Sequence, residues 1–495
     1  GAANARLLPF PSVTFSDVSV AGGPDGQPAM TVETFSMDAE LAPFLRGEVL
    51  IFDMRLVRPK RVITVAEDGM VDWAVRPSSP FDPSHVAIEK LTVERGEILL
   101  VHAAGGRSHV LSDLNAVVSA KSLEGPWRLD GSARLDGLAT RLALSTGKVD
   151  AGGRIGLRLK LDPQDIPLSI EADGSAGIQG GAASYEGRLR IVSTDDDNIT
   201  LRGSDGEAVR VAKGKGEPAY RLGGTFRLDH RRLAIDEFRF ETGPVDNPYT
   251  ADGRAEIELG AEPRFSLEAN GAQVHFDEAV AGEQPGGGLT LAQRVAALEA
   301  VLTRLPKLAM PGTVEVRLPA VLTGDTTIRD VVLSAEPAEQ GWTVKSLSAT
   351  LPGRTTLEAK GLLSTQGEFG FSGSLLLAVA QPSGFAAWLS KDVDEAIRRL
   401  PAAGFNATVD LTDRRQVFSD LELILGNARF RGNVEANEPD DARPSVAMKL
   451  EGGTLDVEGL AAFASLFISD RGANRFADLD LDRAGAVQRA GEDRG

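Results

Sequence analysis

Few residues in this chain are spaced for chemistry. Asp195-Asp196-Asp197-Asn198 offers oxygen ligands of the kind calcium takes, but it lacks the Gly and distal Glu of an EF-hand loop, and a solvated turn accounts for it better. Gly286-Gly287-Gly288 precedes a helical pattern and superficially suits an anion at a helix N-terminus. No strand-loop-Lys context accompanies it, so it reads as a linker. The histidines, His85, His102, His109, His230 and His275, are scattered, and no pair has the spacing of a helical metal site. Cysteine is absent, which excludes disulfides, thiolate catalysis and zinc-thiolate sites. There is no Walker loop, dinucleotide Gly-rich fingerprint, nucleophile elbow or His-Glu-x-x-His motif. An Asp/Glu pair formed in three dimensions stays open, yet the sequence singles none out. The expectation is a protein that is not an enzyme, with no catalytic residue, no metal site and no cofactor.

Composition points the same way. The chain has 495 residues, of which 42% are apolar and 25% charged, ordinary values for a folded protein of about three domains. Aromatics are only 5%, against 54 Gly and 26 Pro, so many turns join an aliphatic interior. A net charge of −18 repels phosphate and disfavours a nucleic-acid partner.

The elements that position these residues are mostly strands. Leu50, Phe52, Met54 and Leu56 alternate with Ile51, Asp53 and Arg55, and the same alternation recurs at Phe226/Leu228, Ile257/Leu259, Phe265/Leu267, Val314/Val316/Leu318 and Leu421/Leu423/Leu425. Pro24-Asp25-Gly26, Asp68-Gly69, Gly152-Gly153 and Asp252-Gly253 punctuate them as turns. Many short strands with turn signals predict an all-β body, without the β-α alternation of a doubly wound fold. Two helices are expected, from Thr290 to Pro306 and from Ser383 to Pro401, each with an apolar stripe at helical spacing. A membrane or partner face is open for those stripes, and packing on the sheet is the favoured reading. The uncharged run from Phe369 to Ser390 reads as strand, turn and helix start, since no stretch is long and apolar enough for a transmembrane helix.

One short pattern repeats: apolar, polar, Asp, Val or Leu, any residue, apolar. It occurs at Phe15–Val20, Leu111–Ala116, Ile328–Leu333 and Phe418–Leu423, with looser copies at Ile88–Val93 and Ile235–Phe240. This weak repetition suggests comparable strands added to one growing sheet. The expected divisions are an N-terminal β region over 1–75, a middle β region over 76–288, a helix-plus-β region over 289–470 and a flexible tail over 471–495.

Ala39-Glu40-Leu41-Ala42-Pro43-Phe44-Leu45-Arg46-Gly47-Glu48-Val49, followed by Leu50–Val57, Arg58-Pro59, Asp68-Gly69 and Val71-Asp72-Trp73, resembles the N-terminal region of the AsmA family. There a leucine-rich turn with Arg-Gly-Glu leads into a strand ending in Arg-Pro, then Asp-Gly and Asn-Trp; Asp72 departs from the usual Asn. The match is specific over 1–75 and looser over 308–460, while 76–288 matches mainly in character. The resemblance implies a long, curved, taco-like antiparallel β-sheet with an apolar groove, related to bridge-like lipid-transfer proteins. It also implies a periplasmic body anchored in the bacterial inner membrane by a helix outside this sequence, with a role in outer-membrane biogenesis. The chain opens at Gly1 in the middle of a pattern and without a signal peptide, as expected of a processed product.

Physical chemistry suits that implication. Each exposed CH₂ of an acyl chain costs ~0.8 kcal/mol in water, so ~16 carbons cost on the order of 12 kcal/mol. A groove lined by one face of alternating strands removes most of that barrier, and aliphatic residues suit a slippery lining. Leu50, Phe52, Met54 and Leu56, with Phe226, Leu228, Phe265, Leu267, Val314, Val316, Leu318, Leu421, Leu423 and Leu425, are the candidate lining, the opposite parity being the runner-up. The expected partners are phospholipids or other acyl lipids, the inner membrane, and an outer-membrane or periplasmic protein. The same alternation would serve an ordinary sandwich core. Two other functions stay open: a periplasmic scaffold assisting outer-membrane protein assembly, and an exported carbohydrate- or solute-binding β protein, the latter disfavoured by 4 Trp and 3 Tyr.

Overall fold

A computed structural model describes residues 3–6, 10–21, 28–72, 82–179, 182–193, 198–202, 208–212, 220–242, 249–271, 274–275, 295, 299, 310–323, 326–389, 393–412, 414–437, 445–454 and 457–467. The chain divides into two units, Gly1–Ser266 and Leu267–Gly495, each dominantly β-sheet.

In the first unit Ala3–Arg6, Ser12–Val20 and Met30–Ala39 pair antiparallel in that order. Met30–Ala39 then pairs with two strands laid end to end, Val49–Val57 and Lys60–Val65. Both run parallel to the long strand Val86–His102, in one register from Val49↔Val86 to Val65↔His102. The sheet is therefore mixed, where a purely antiparallel one was expected, because Val86–His102 runs in the same direction as the two strands it pairs with here. The division expected near residue 75 falls inside this unit, since strands on either side of it share a ladder. Antiparallel pairing then continues through Arg107–Ala120, Trp127–Leu135, Leu138–Val149, Arg154–Pro163, Leu168–Gln179 and Ala182–Ser193. Tyr220–Leu228, Arg232–Thr242 and Tyr249–Glu258 extend it, and Asn198–Arg202 with Ala208–Ala212 forms a separate hairpin.

The repeated Asp pattern marks the places where these strands bend. Asp17, Asp113, Asp330 and Asp420 all take left-handed backbone, with φ between 50° and 52°, a region Asp tolerates better than branched residues. At every copy but the first the ladder register shifts within the motif, as a β-bulge requires. Arg58 (φ 47°) and Arg95 (φ 52°) are left-handed too, directly opposite each other in the parallel ladder. Glu33 accepts from Arg58 at 2.7 Å on one side, and the Asn115 side chain accepts from the Arg95 amide at 3.0 Å on the other. A crease thus crosses neighbouring strands from Asp17 to Asp113.

Twist does the rest. Eight ladder steps separate Val86–His102 from Arg232–Thr242, and at ~20–25° per step they accumulate about half a turn. Opposite strand ends are thereby brought together. His102 Nε2 lies 2.6 Å from the His230 carbonyl oxygen, and Arg107 Nη2 donates to the Gly260 carbonyl at 2.8 Å. The first unit curls back on itself.

In the second unit Gly312–Thr323, Thr326–Ala338, Gly341–Leu351, Thr355–Ser364, Gly370–Val379, Ala403–Thr412, Arg415–Leu425, Ala428–Asn437 and Ser445–Gly452 form one antiparallel ladder. The helix expected from Ser383 to Pro401 is two helices, Pro382–Leu389 and Glu395–Arg399. The Asp394 carboxylate accepts from the Ala396 amide at 2.8 Å and so caps a new start. A further helix, Val457–Ser465, packs beside them. Apart from Val295 and Glu299, which are helical, the helix expected from Thr290 to Pro306 lies outside the described residues, as does the tail 471–495.

If the left-handed bulge is what Asp113 serves, Asp113→Gly will leave the urea midpoint nearly unchanged. Asp113→Val will lower stability by about 1–2 kcal/mol, because a branched Cβ crowds the following carbonyl.

Candidate functional site

The candidate site is one face of the first unit's sheet. Following direct cross-strand partners gives an unbroken apolar row: Phe15, Phe35, Leu56, Val93, Ala116, Gly131, Leu142, Leu161, Ile170, Ile191, Leu222, Phe240 and Ala251. A second row beside it reads Val13, Met37, Met54, Leu91, Val118, Leu129, Leu144, Leu159, Ala172, Leu189, Gly224, Phe238 and Gly253, through the same ladders. The row between them faces the other way and is polar: Ser36, Arg55, Thr92, Val117, Asp130, Ala143, Lys160, Glu171, Arg190, Gly223, Arg239 and Asp252.

These apolar rows are not a finished core. Val93, Ala116, Ala172 and Phe238 are buried, but Met54, Leu56, Leu91, Leu142, Leu144, Leu159, Leu161, Leu189, Ile191 and Leu222 are only half-buried. Among the described residues of this unit the helices are single turns, Leu41–Phe44, Pro83–His85 and Ala103–Gly105, too short to cover a face of this length. The opposite face carries well-exposed ion pairs such as Arg158–Asp173, Arg227–Asp236 and Lys160–Glu171. Pairs of this kind add little stability, but they keep that face wet. Since curvature shields the inner side of a curled sheet, the more shielded apolar rows line the inside of the bend.

The bulges explain how the rows stay unbroken. An extra residue flips every later side chain to the other face, so apolar residues three apart across a bulge end up on one face. Leu111 and Leu114, Ile88 and Leu91, Ile235 and Phe238 all do so. Ile51-Phe52-Asp53-Met54 keeps the three-residue apolar spacing, with Phe52 where the repeat has a polar residue. Its bulge, between the pairs Asp38↔Asp53 and Ala39↔Ile51, corrects the simple alternation expected there. Ile51, Met54 and Leu56 share the apolar face, Leu50 falls on the other, and Phe52 sits edge-on to Phe10 at 5.5 Å.

Phe226, buried, and Leu228, half-buried, lie on the apolar face opposite Gly187 and Tyr185. Tyr185 lays a polar-tipped ring along it. Its hydroxyl donates toward the carbonyls of Ala172 (2.8 Å) and Leu157 (3.1 Å), crossing the next strand where Leu157 pairs with Gly174, and its ring stands edge-on to Phe226 at 4.8 Å. Gly174 and Gly187 leave this space open; a Cβ at Gly187 would meet the Asp173 carbonyl oxygen at 2.3 Å. Burial, and then the Asp173 carboxylate, push the Tyr185 phenol up to about 12.

Comparison of the chain with protein-family models, curated proteins and solved structures finds no match.

The remaining candidate residues divide. Phe265 is buried and Leu267 half-buried on strand Arg264–Gly271, along which the two units meet in sequence. Val314, Val316 and Leu318 are half-buried opposite Ala335, Leu333 and Val331. Leu421, Leu423 and Leu425, proposed as open lining, are instead 4–6% exposed beneath the helices of the second unit. Phe385, Trp388, Leu460 and Phe463 cover them, with Phe467 edge-on to both Phe405 (5.9 Å) and Phe463 (5.3 Å). Helix Pro382–Leu389 reaches the sheet over Gly353, where a Cβ would meet the Phe385 amide nitrogen at 2.5 Å. Among the described residues no His, Asp and Glu cluster is arranged to hold a metal, and no helix is long and apolar enough to cross a membrane.

Two outcomes follow from these contacts. Phe463→Ala will cost the second unit about 3–5 kcal/mol, read by chemical unfolding, because it empties a dry, helix-covered core. Tyr185 binds its proton more tightly folded than unfolded, so its contribution is complete below pH ~10 and is lost as pH rises toward 12. With 3 tyrosines in the chain, phenolate absorbance of the wild type against Tyr185→Phe will isolate that late step, and the variant will lose the matching slope in stability.

Proposed function

We propose that the chain carries acyl chains of phospholipids along the apolar rows of its sheet, as a non-enzymatic, AsmA-like protein of the bacterial periplasm held at the inner membrane and supporting outer-membrane biogenesis. The observation that carries this reading is the continuity of the rows: strand after strand places an apolar or glycine residue directly opposite the last, yet the face is left half-exposed. A protein that needed these residues only for stability would bury them, since apolar burial contributes roughly 25 cal/mol per Å². Aliphatic side chains without polar interruptions hold a hydrocarbon chain equally well at every position, so a lipid moves along them without meeting a deep well. Charged residues on the other parity keep the outer surface in water. The resemblance of the Leu41–Pro59 segment to the AsmA family supports the compartment and the anchor.

Leu189 and Arg190 are neighbours on opposite faces, which makes a paired test. The purified chain, extracted with organic solvent, will yield phospholipid in native mass spectra. Leu189→Asp will lose most of it at an unchanged secondary-structure signal, whereas Arg190→Asp will retain it. A wild-type chain that neither co-purifies with phospholipid nor takes it up from a loading mixture would overturn the reading. A saturable protein partner in its place would favour the scaffold.

A further inference from the structure

The contacts that close the curl of the first unit are of a different kind from those that build it. Ladders lead without a gap from Val86–His102 to Arg232–Thr242, so a contact between those two ends closes a ring. At that seam His102 Nε2 donates to the His230 carbonyl at 2.6 Å, and Arg107 Nη2 donates to the Gly260 carbonyl at 2.8 Å. Nearby, Met70 and Ala182 form a single antiparallel bridge, which ties the turn beyond Lys60–Val65 to the first residue of Ala182–Ser193. The polar groups of the seam are only half satisfied. Arg231 Nε donates to His230 Nε2 at 3.2 Å, which leaves the hydrogen of the neutral ring on Nδ1. That nitrogen is buried against Gly69 and has no partner among the described residues. Arg107 Nε is buried without one as well. Backbone packs closely here: a Cβ at Gly69 would strike the His230 ring, and one at Gly105 would meet the Leu259 carbonyl oxygen at 2.9 Å. Buried donors without acceptors cost stability while the seam is shut and regain water when it parts. Elsewhere around the ring every join is an extended ladder, so the seam is its weakest link.

We propose that this seam is a side gate, which parts to let a phospholipid onto the apolar rows from the side and then closes. A lipid threaded from an end would have to draw its charged headgroup along aliphatic side chains, and that desolvation is costly. Through a parted seam the acyl chains enter while the headgroup stays in water. The cargo of the gate rests on the carrier reading; its opening does not.

The chain has no cysteine, so introduced ones can lock the seam and report on it. Partners in an antiparallel bridge have Cα atoms ~4.5–5.5 Å apart, within reach of a disulfide, so Met70→Cys/Ala182→Cys will tie the seam shut when oxidised. Oxidation of the full chain will slow uptake of fluorescent phosphatidylcholine from vesicles at least about tenfold, and reduction will restore it. Arg107→Ala, which removes one fastening, will speed uptake. An oxidised chain that loads as fast as the reduced one overturns the gate. Opening is read without lipid from spin labels on Ala103→Cys and Ala261→Cys, exposed residues on the two sides of the seam. They will show a second, longer distance whose share grows when Arg107→Ala is added. Labels that stay together while lipid is taken up overturn the gate alone. Labels that part in a chain that takes up no lipid overturn the carrier reading and leave the opening standing.

Discussion

A β-strand that takes in one extra residue turns every later side chain to the opposite face, and this sheet takes in extra residues again and again. The rest of the molecule depends on how that flip is absorbed. At the bulges of the repeated motif the sequence places apolar residues three apart, with a polar residue and a carboxylate between them, so that the loss of alternation in sequence becomes continuity in space. The left-handed aspartates are the hinge of this device, because a short side chain that bonds to nearby backbone tolerates positive φ where valine or isoleucine does not. Without the compensation, the row running from Phe15 to Ala251 would break at the first crease. Charged residues from the outer face would then enter the bend.

The two units deal differently with the apolar face this produces. The second lays helices over one end of it and gains a dry aromatic core from Phe385, Phe405, Phe463 and Phe467. The first leaves its face half-open and shields it by curling, fastened where His102 and Arg107 meet the backbone of His230 and Gly260. Without a covering layer among the described residues, stabilisation along the strands is smaller, which the backbone ladders and the bend itself must offset. That arrangement accords with a surface whose natural covering is a guest of the proposed kind.

Much of this was legible. Period-2 alternation, turn residues and the lack of β-α alternation announced a β body, and the repeated Asp motif was visible as a repeat. What it meant was not, because nothing in a six-residue pattern distinguishes a strand that continues from one that bulges until the opposing register is known. The same blindness put Leu50 on the wrong face. Leu421, Leu423 and Leu425 show a second limit: alternation tells which residues share a face but not what lies over it, and a helix distant in sequence decided that. The parallel pairing of Val49–Val65 with Val86–His102 was hidden because alternation along a strand does not tell in which direction its neighbour runs.

The hairpin Asn198–Ala212 bears on how such a chain could have grown. It lies between two strands that nevertheless pair directly, Ile191 opposite Leu222, and the apolar row passes from one to the other as if nothing had been inserted. Each strand therefore answers only to its neighbours, and a stretch of chain can be spliced between two of them without rewriting the rest. Had such a hairpin joined the ladder instead, it would have lengthened the sheet by two strands, about 10 Å. The number of strands in this architecture is a quantity selection can adjust in steps of one hairpin.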